Sequence, residues 1–282
     1  MEITIPHRLA TLGHPQRLAV FRLLMRRYPD RVPATELANA LSLKPNTLST
    51  YVSALKKSEL ITQERVGTSL RYGANLTAIQ ETFEYLLRDC CRGRPDICAP
   101  ILSEMAPMPS AVEERKFNVL FICTGNSARS IFAEAILRKE AGAQFNAYSA
   151  GTKPKSELNP FALDVLAQKG HDITELRAKN IGVFQQEDAP EFDFVFTVCD
   201  QAANEDCPAW TGQPISAHWG VPDPVKAEGS NAEQSLAFQN AYGALLNRIR
   251  AFSSLPIASL DRISLQQAID EIAKNEQEGH TA

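Results

Sequence analysis

Apolar residues fall in two patterns along the chain. Up to about residue 90 they come as stripes at helical spacing. Pro15 to Tyr28 reads as an amphipathic helix with Leu18, Phe21 and Leu24 on one side, and Ala34 to Leu41 as a short second helix. After the turn Ser42-Leu43-Lys44, the segment Pro45 to Ser58 carries Leu48, Val52 and Leu55 at i, i+4 and i+7, with Pro45 in a first-turn position. Leu60 to Val66 and Ser69 to Gly73, joined by Gly67-Thr68, have the pattern of a hairpin. Leu76 to Cys91 returns to helical spacing.

Further on, apolar residues come in solid blocks. Val119 to Ile122 predicts a strand buried on both faces, and Ile131, Phe132, Ala135, Ile136 and Leu137 a helix after it. Tyr148 to Gly151 ends a second strand, Phe194 to Val198 forms a third, and Ala232 to Phe252 a long helix. Ser264-Leu265-Gln266-Gln267 has capping-box spacing before Ala268 to Lys274, a helix expected to serve packing or an oligomer contact. The alternation predicts a mainly helical first domain and an α/β second domain with a central parallel sheet. Pro100, Pro107 and Pro109 break residues 99–115 into a linker. The expected division is 1–98, linker 99–115, 116–254, and a helical C-terminal extension 255–282.

Composition sharpens this picture. At 282 residues and 44% hydrophobic, each half can bury a core. No long apolar run reads as membrane-spanning and Met1 to Arg8 does not read as a signal peptide, so the expected location is cytoplasmic, without membrane contact. In that setting the six cysteines read as reactive or metal-binding thiols. The net charge of −4 hides an asymmetry: residues 1–98 hold 14 Lys and Arg against 9 Asp and Glu, a balance compatible with nucleic acid.

The most informative line is Cys123-Thr124-Gly125-Asn126-Ser127-Ala128-Arg129-Ser130, between a strand and a helix N-terminus. Backbone N–H groups of Thr124, Gly125, Asn126, Ser127, Ala128 and Arg129, with the positive helix end, suit a tetrahedral oxyanion. Arg129 can add a planar fork to two of its oxygens. The same field is expected to lower the Cys123 thiol pKa into the range of about 3.5–7.5. Ser130 is placed to hold the thiolate by a hydrogen bond, and the thiolate to attack the anion.

These residues resemble the low-molecular-weight tyrosine phosphatase superfamily, and more closely its arsenate-reductase branch, over roughly Phe117 to Phe252. The resemblance makes Asp223, in Trp219-Gly220-Val221-Pro222-Asp223-Pro224, the general acid that protonates the departing oxygen. Val225 stands where the phosphatases carry a stacking aromatic, which favours a small inorganic anion. His218 and Trp219 read as scaffold for that loop. Cys199 and Cys207 supply what reduction needs and hydrolysis does not, a second thiol to release arsenite by forming a disulfide. The pair is eight apart and Ala128 occupies a position that is Cys in some relatives, so two routes stay open. Either Cys123, Cys199 and Cys207 form a relay emptied by thioredoxin, or glutaredoxin or a low-molecular-weight thiol takes the last step. The resemblance implies no tightly bound cofactor, only an external thiol reductant.

The first half, about residues 6–91, resembles the arsenic-responsive repressor family of winged helix-turn-helix proteins. That implies a homodimer on operator DNA, with Asn46, Thr47, Thr50 and Tyr51 of the third helix as base-reading candidates and Lys56, Lys57, Arg65 and Arg71 facing phosphates. Tyr51 reads equally well as core. Glu59 stands where that family often has Gly, and Glu36 to Asn39 lacks its usual metal-binding thiols. Cys90, Cys91 and Cys98 instead offer three soft donors, a set suited to trivalent arsenic. The combined expectation is a bifunctional protein: a thiol-dependent arsenate reductase fused to a repressor with arsenite as effector. The alternative is a protein tyrosine phosphatase, or an oxyanion-sensing regulator whose phosphatase-like domain is inactive.

Overall fold

The computed structural model describes residues 4–90, 115–186, 188–205 and 210–274. The chain forms two compact units, Met1–Ala106 and Pro107–Ala282. The reading of residues 99–115 as a linker falls almost wholly outside the described residues.

In the first unit α1 (Thr4–Leu12) and α2 (Pro15–Arg26) precede β1 (Val32–Pro33), α3 (Ala34–Ala40) and α4 (Pro45–Lys57). The wing follows as β2 (Ile61–Val66) and β3 (Ser69–Ala74), antiparallel, with β1 on the other side of β3. The unit closes with α5 (Leu76–Tyr85), continued by one π-helical turn, Leu86–Cys90. Leu48, Val52 and Leu55 of α4 are buried against Leu37, Val20, Leu23 and Leu24. The α2 face is therefore rotated from the expected one: Leu18 is 40% exposed, whereas Val20 and Leu23 are fully buried. Spacing alone left two stripes available, and packing chose the one facing α4.

Glu59 takes φ +61°, the left-handed region, which is why glycine suits this turn. Its carboxylate is compensated by Arg8, a buried guanidinium at the centre of the unit. Arg8 Nη2 meets Glu59 Oε2 at 3.0 Å, its Nε donates to the Ser58 carbonyl (3.3 Å), and Nη1 donates to the Ala78 carbonyl (3.0 Å) and meets Glu81 (3.0 Å).

The second unit is a four-stranded parallel sheet in the order β5-β4-β6-β7, with β4 Phe117–Cys123, β5 Phe145–Gly151, β6 Phe194–Thr197 and β7 Ile215–His218. Val119 to Ile122 are fully buried, as helices on both faces require. Helix α6 (Arg129–Ala141) is buried continuously from Ser130 to Leu137 and packs on β4, β5 and the long α9 (Asn231–Ser253). Two shorter helices, α7 (Pro160–Gln168) and α8 (Asp200–Asn204), lie between. A true capping box, Ser230 with Glu233, starts α9. The last helix, α10 (Arg262–Lys274), begins earlier than expected because Asp261, not Ser264, caps it: Asp261 Oδ1 accepts the amides of Ile263 (2.9 Å) and Ser264 (3.0 Å). Its Leu265, Ile269 and Ala273 join the core of this unit, so part of the expected 255–282 extension is core.

Candidate active site and nucleic-acid face

Helix and sheet order place the Cys123 loop where a ligand crevice opens. Its parent strand β4 has β5 on one side and β6 on the other, so the chain departs in opposite directions at the carboxyl end of β4. The loop then runs directly into the N-terminus of α6, with Ala128 at the N-cap position. Its carbonyls are committed to a rim after β5. Thr152 N–H donates to Cys123 O (3.1 Å), Lys153 to Thr124 O (2.9 Å), Lys155 to Gly125 O (2.9 Å) and Asn159 to Ser127 O (3.0 Å). Gly151 permits this approach, since a Cβ there would lie 2.7 Å from the Thr124 carbonyl oxygen. With the carbonyls turned to the rim, amides remain for the thiol side, as the Asn126 N–H at 3.1 Å from Cys123 Sγ shows.

Behind the loop lies a buried polar chain whose hydrogen-bond directions can be read off. Glu134, 3% exposed within the apolar run of α6, accepts from Ser149 Oγ and meets Lys179 Nζ at 2.9 Å and Arg138 Nη2 at 2.7 Å. An ionised carboxylate only accepts, so Ser149 spends its proton there. Ser149 Oγ then accepts from Asn126 Nδ2 (2.9 Å), which also donates to Ser130 Oγ (2.8 Å). The main-chain N–H of Lys179 donates to Asn126 Oδ1 (2.6 Å), which fixes the amide's orientation. Ser130 is left with its own hydroxyl proton for Cys123 Sγ, 2.9 Å away. Asn126 holds φ +43°, a conformation Asn tolerates and this network supports.

Arg129 reaches across to the facing loop. Its Nη1 donates to the Val221 carbonyl (3.0 Å) and Nη2 lies 3.0 Å from Asp223 Oδ2. Asp223 Oδ1 accepts the Val225 amide (3.3 Å), and Val225 is half exposed. Arg248, buried on α9, steadies the approach by donating to the carbonyls of Trp219 (2.8 Å) and Gly220 (3.1 Å). Trp219 is fully buried and stacks on Phe196 at 4.1 Å. His218 is buried between Thr197 Oγ1 (2.8 Å) and Asp200 Oδ1 (3.2 Å).

The expected fall in the Cys123 pKa is overturned. Burial pushes the thiol up and Cys199 adds to the rise, while hydrogen bonds from Ser130 and Asn126 offset it only in part. The reason is geometric: the thiol is 3% exposed and lies within reach of the second thiol, Cys199.

Cys199 caps α8 and is 1% exposed, with its Sγ 3.4 Å from Thr124 Oγ1 of the loop and 3.4 Å from the Ala202 amide. The structure thus brings Cys123, Thr124, Arg129, Ser130, Cys199 and Asp223 into one site. Cys207 lies outside the described residues. Glu134, Ser149 and Lys179 were missed by the sequence reading. One signal was available for Glu134, a lone acid inside the block Ile131 to Leu137, but its partners are distant in sequence.

On the first unit, Asn46 and Thr50 are exposed on α4, while Thr47 and Tyr51 are half buried. The Thr50 hydroxyl donates back to the Asn46 carbonyl (3.2 Å), and the Tyr51 ring packs on His14 with centroids 5.1 Å apart. Lys57 and Arg65 are exposed, Lys56 donates to Gln63 (2.9 Å), and Arg71 is half buried opposite Glu64 in the β2–β3 register. Cys90 is exposed, while Cys91 and Cys98 lie outside the described residues. No described helix is long and apolar enough to cross a membrane.

Comparison with known proteins places both halves. Residues 118–263 match the family model of low molecular weight phosphotyrosine protein phosphatases, and residues 12–64 that of a helix-turn-helix domain. An arsenate reductase of Bacillus licheniformis is 36% identical over 138 residues, covering 49% of this chain and 96% of that protein. One of Halalkalibacterium halodurans is 36% identical over 135 residues, covering 48% and 94%. A solved arsenate reductase in the phosphate binding state covers 49% of this chain and 97% of its own, at 23% identity and a TM-score of 0.41.

Proposed function

The chain belongs to the low molecular weight phosphotyrosine protein phosphatase family, and on that premise we propose that its second unit reduces arsenate to arsenite with thiols. The observation that carries this reading is the second thiol. Cys199 Sγ sits at the loop residue Thr124, where a hydrolase needs nothing and a reductase needs a resolving group. The identity to arsenate reductases over nearly their whole length supports it.

The loop amides and Arg129 hold the tetrahedral anion, and Cys123 attacks arsenic. A hydrogen-bearing arsenate dianion accepts the Cys123 proton as the sulfur–arsenic bond forms. Asp223 gathers the anion's own proton and the one from Cys123 onto one oxygen, the arsenic–oxygen bond breaks, and that oxygen leaves as water. Ser130 donates to the sulfur as it becomes a thiolate. Cys199 then attacks Cys123 Sγ and the sulfur–arsenic bond breaks, its electron pair staying on arsenic and the Cys199 proton passing to the departing arsenite. Arsenic falls from the +5 to the +3 state, and two thiols become one disulfide. Cys207 carries the disulfide outward, and thioredoxin, glutaredoxin or a small thiol reduces it. The half-exposed Val225 beside Asp223 offers no stacking ring to an aryl ester.

The first unit acts, on this reading, as a repressor that binds operator DNA as a homodimer. Exposed Asn46, Thr50, Lys57 and Arg65 support the DNA face. Exposed Leu9, Leu76 and Phe83 on the packed pair α1 and α5 support a partner copy. Arsenite bound by Cys90, Cys91 and Cys98 loosens the complex. The protein works in the cytoplasm, with residues 1–98 and 116–254 as the two working domains.

The test is to incubate purified protein with arsenate and each thiol donor in turn, and to assay arsenite. Cys123→Ser abolishes product, because serine is not ionised near neutral pH. Appreciable turnover by that variant overturns the assignment.

A further inference from the structure

We propose that Asp223 makes the site selective for oxyanions that still carry a proton. Arsenate and phosphate do so in neutral solution, and sulfate does not. This deepens the function proposed above and rests on the reading of the Cys123 loop as an oxyanion site.

Asp223 Oδ2 lies 3.0 Å from Arg129 Nη2, so a carboxylate oxygen already stands at the edge of the guanidinium that must grip the ligand. A tetrahedral anion on the loop amides and Arg129 brings one of its oxygens beside that carboxylate. Two bare, negatively charged oxygens at such a distance repel. The side chains of Arg129 and Asp223 are only 13% and 25% exposed, which limits screening by water. A proton on the ligand's oxygen converts the contact into an O–H donor facing a carboxylate, a strong charge-assisted hydrogen bond.

Relief by swinging Asp223 away is opposed from three sides. Its Oδ1 holds the Val225 amide, Arg129 Nη1 holds the Val221 carbonyl, and buried Arg248 holds the carbonyls of Trp219 and Gly220. The carboxylate therefore stays close to the anion and reads its protonation. The same proximity suits its role as general acid, but selectivity of this kind requires no turnover and can be measured without it.

Isothermal titration calorimetry on the full, reduced chain, with inorganic phosphate and sulfate as separate probes near pH 7.5, tests this. Wild-type protein is expected to favour phosphate by about tenfold or more, the scale of one hydrogen bond to a charged group. Asp223→Asn, whose amide both donates and accepts, brings the two affinities to within about threefold, chiefly by gaining affinity for sulfate. Asp223→Ala removes the discrimination without adding a donor, and circular dichroism checks the fold of both variants. Equal binding of the two anions by wild-type protein, or a preference unchanged in both variants, overturns the inference while leaving the oxyanion site standing. Binding of neither anion by wild-type protein overturns the oxyanion reading and this inference with it.

Discussion

Lys179→Met removes one charge from a buried pair while leaving a stem of similar length. The two side chains are 14% and 4% exposed, so Glu134 loses a partner that water cannot replace. Breaking a buried pair on one side costs about 3–5 kcal/mol. Glu134 keeps Arg138 at 2.7 Å and the Ser149 hydroxyl, which puts the expected loss near the lower end, about 3 kcal/mol. In a domain of this size 1 kcal/mol moves Tm by about 2–4 °C, so the second unit should melt about 6–12 °C lower. Differential scanning calorimetry of the full chain reads this as a shift of one transition. The double change Glu134→Gln with Lys179→Met removes both charges and should melt above Lys179→Met alone. A shift under about 2 °C for the single variant, or a double variant no more stable than the single, would refute the view that Glu134 is a charge held in place by Lys179.

Asp223→Asn should cut arsenate turnover by about 10² or more, the usual scale for a lost general acid, in a steady-state arsenite assay. Cys199→Ser should give at most one turnover and trap modified Cys123 in mass spectra; full multiple turnover with a small thiol would show that the donor attacks directly. Burial and Cys199 both raise the Cys123 pKa, so its thiolate fraction, followed by ultraviolet absorbance, should rise only above the ordinary cysteine range and move to lower pH in Cys199→Ser. Because the folded state holds that proton more tightly than the unfolded one, the associated stability is complete below the unfolded pKa and falls as pH rises toward the folded value. Replacing Cys90, Cys91 and Cys98 by Ser should leave operator binding intact but insensitive to arsenite in a gel-shift assay; release by arsenite from that variant would place the sensor elsewhere.

Much of this was legible in the sequence because the information is local. The block Val119 to Ile122, the cysteine-to-arginine spacing after it and the stripe Leu48, Val52, Leu55 each report on one element and its surroundings. What escaped depends on contacts made at a distance. Leu18 and Leu23 both suit an apolar face of α2, and only the position of α4 buries Leu23 and leaves Leu18 in water. Ser264 has the spacing of a cap, but Asp261 reaches the free amides first and starts the helix earlier. The direction of the Cys123 shift turns on the burial of its thiol and on Cys199, 76 positions further on. Ser149 and Lys179 belong to the network only because β5 and the segment after α7 return to the back of the loop.

Arg8 has a mechanical consequence. One rigid guanidinium joins the backbone of α5 at Ala78 to the last turn of α4 at Ser58, and ties in the side chains of Glu59 and Glu81. Planar and multiply bonded, it works as a rivet between two levers. A shift of α5 at Ala78 would have to break or carry along the bond from the same guanidinium to Ser58. The helix that presents Asn46 and Thr50 near its start is thus tied, at its other end, to the helix that leads to the exposed thiol.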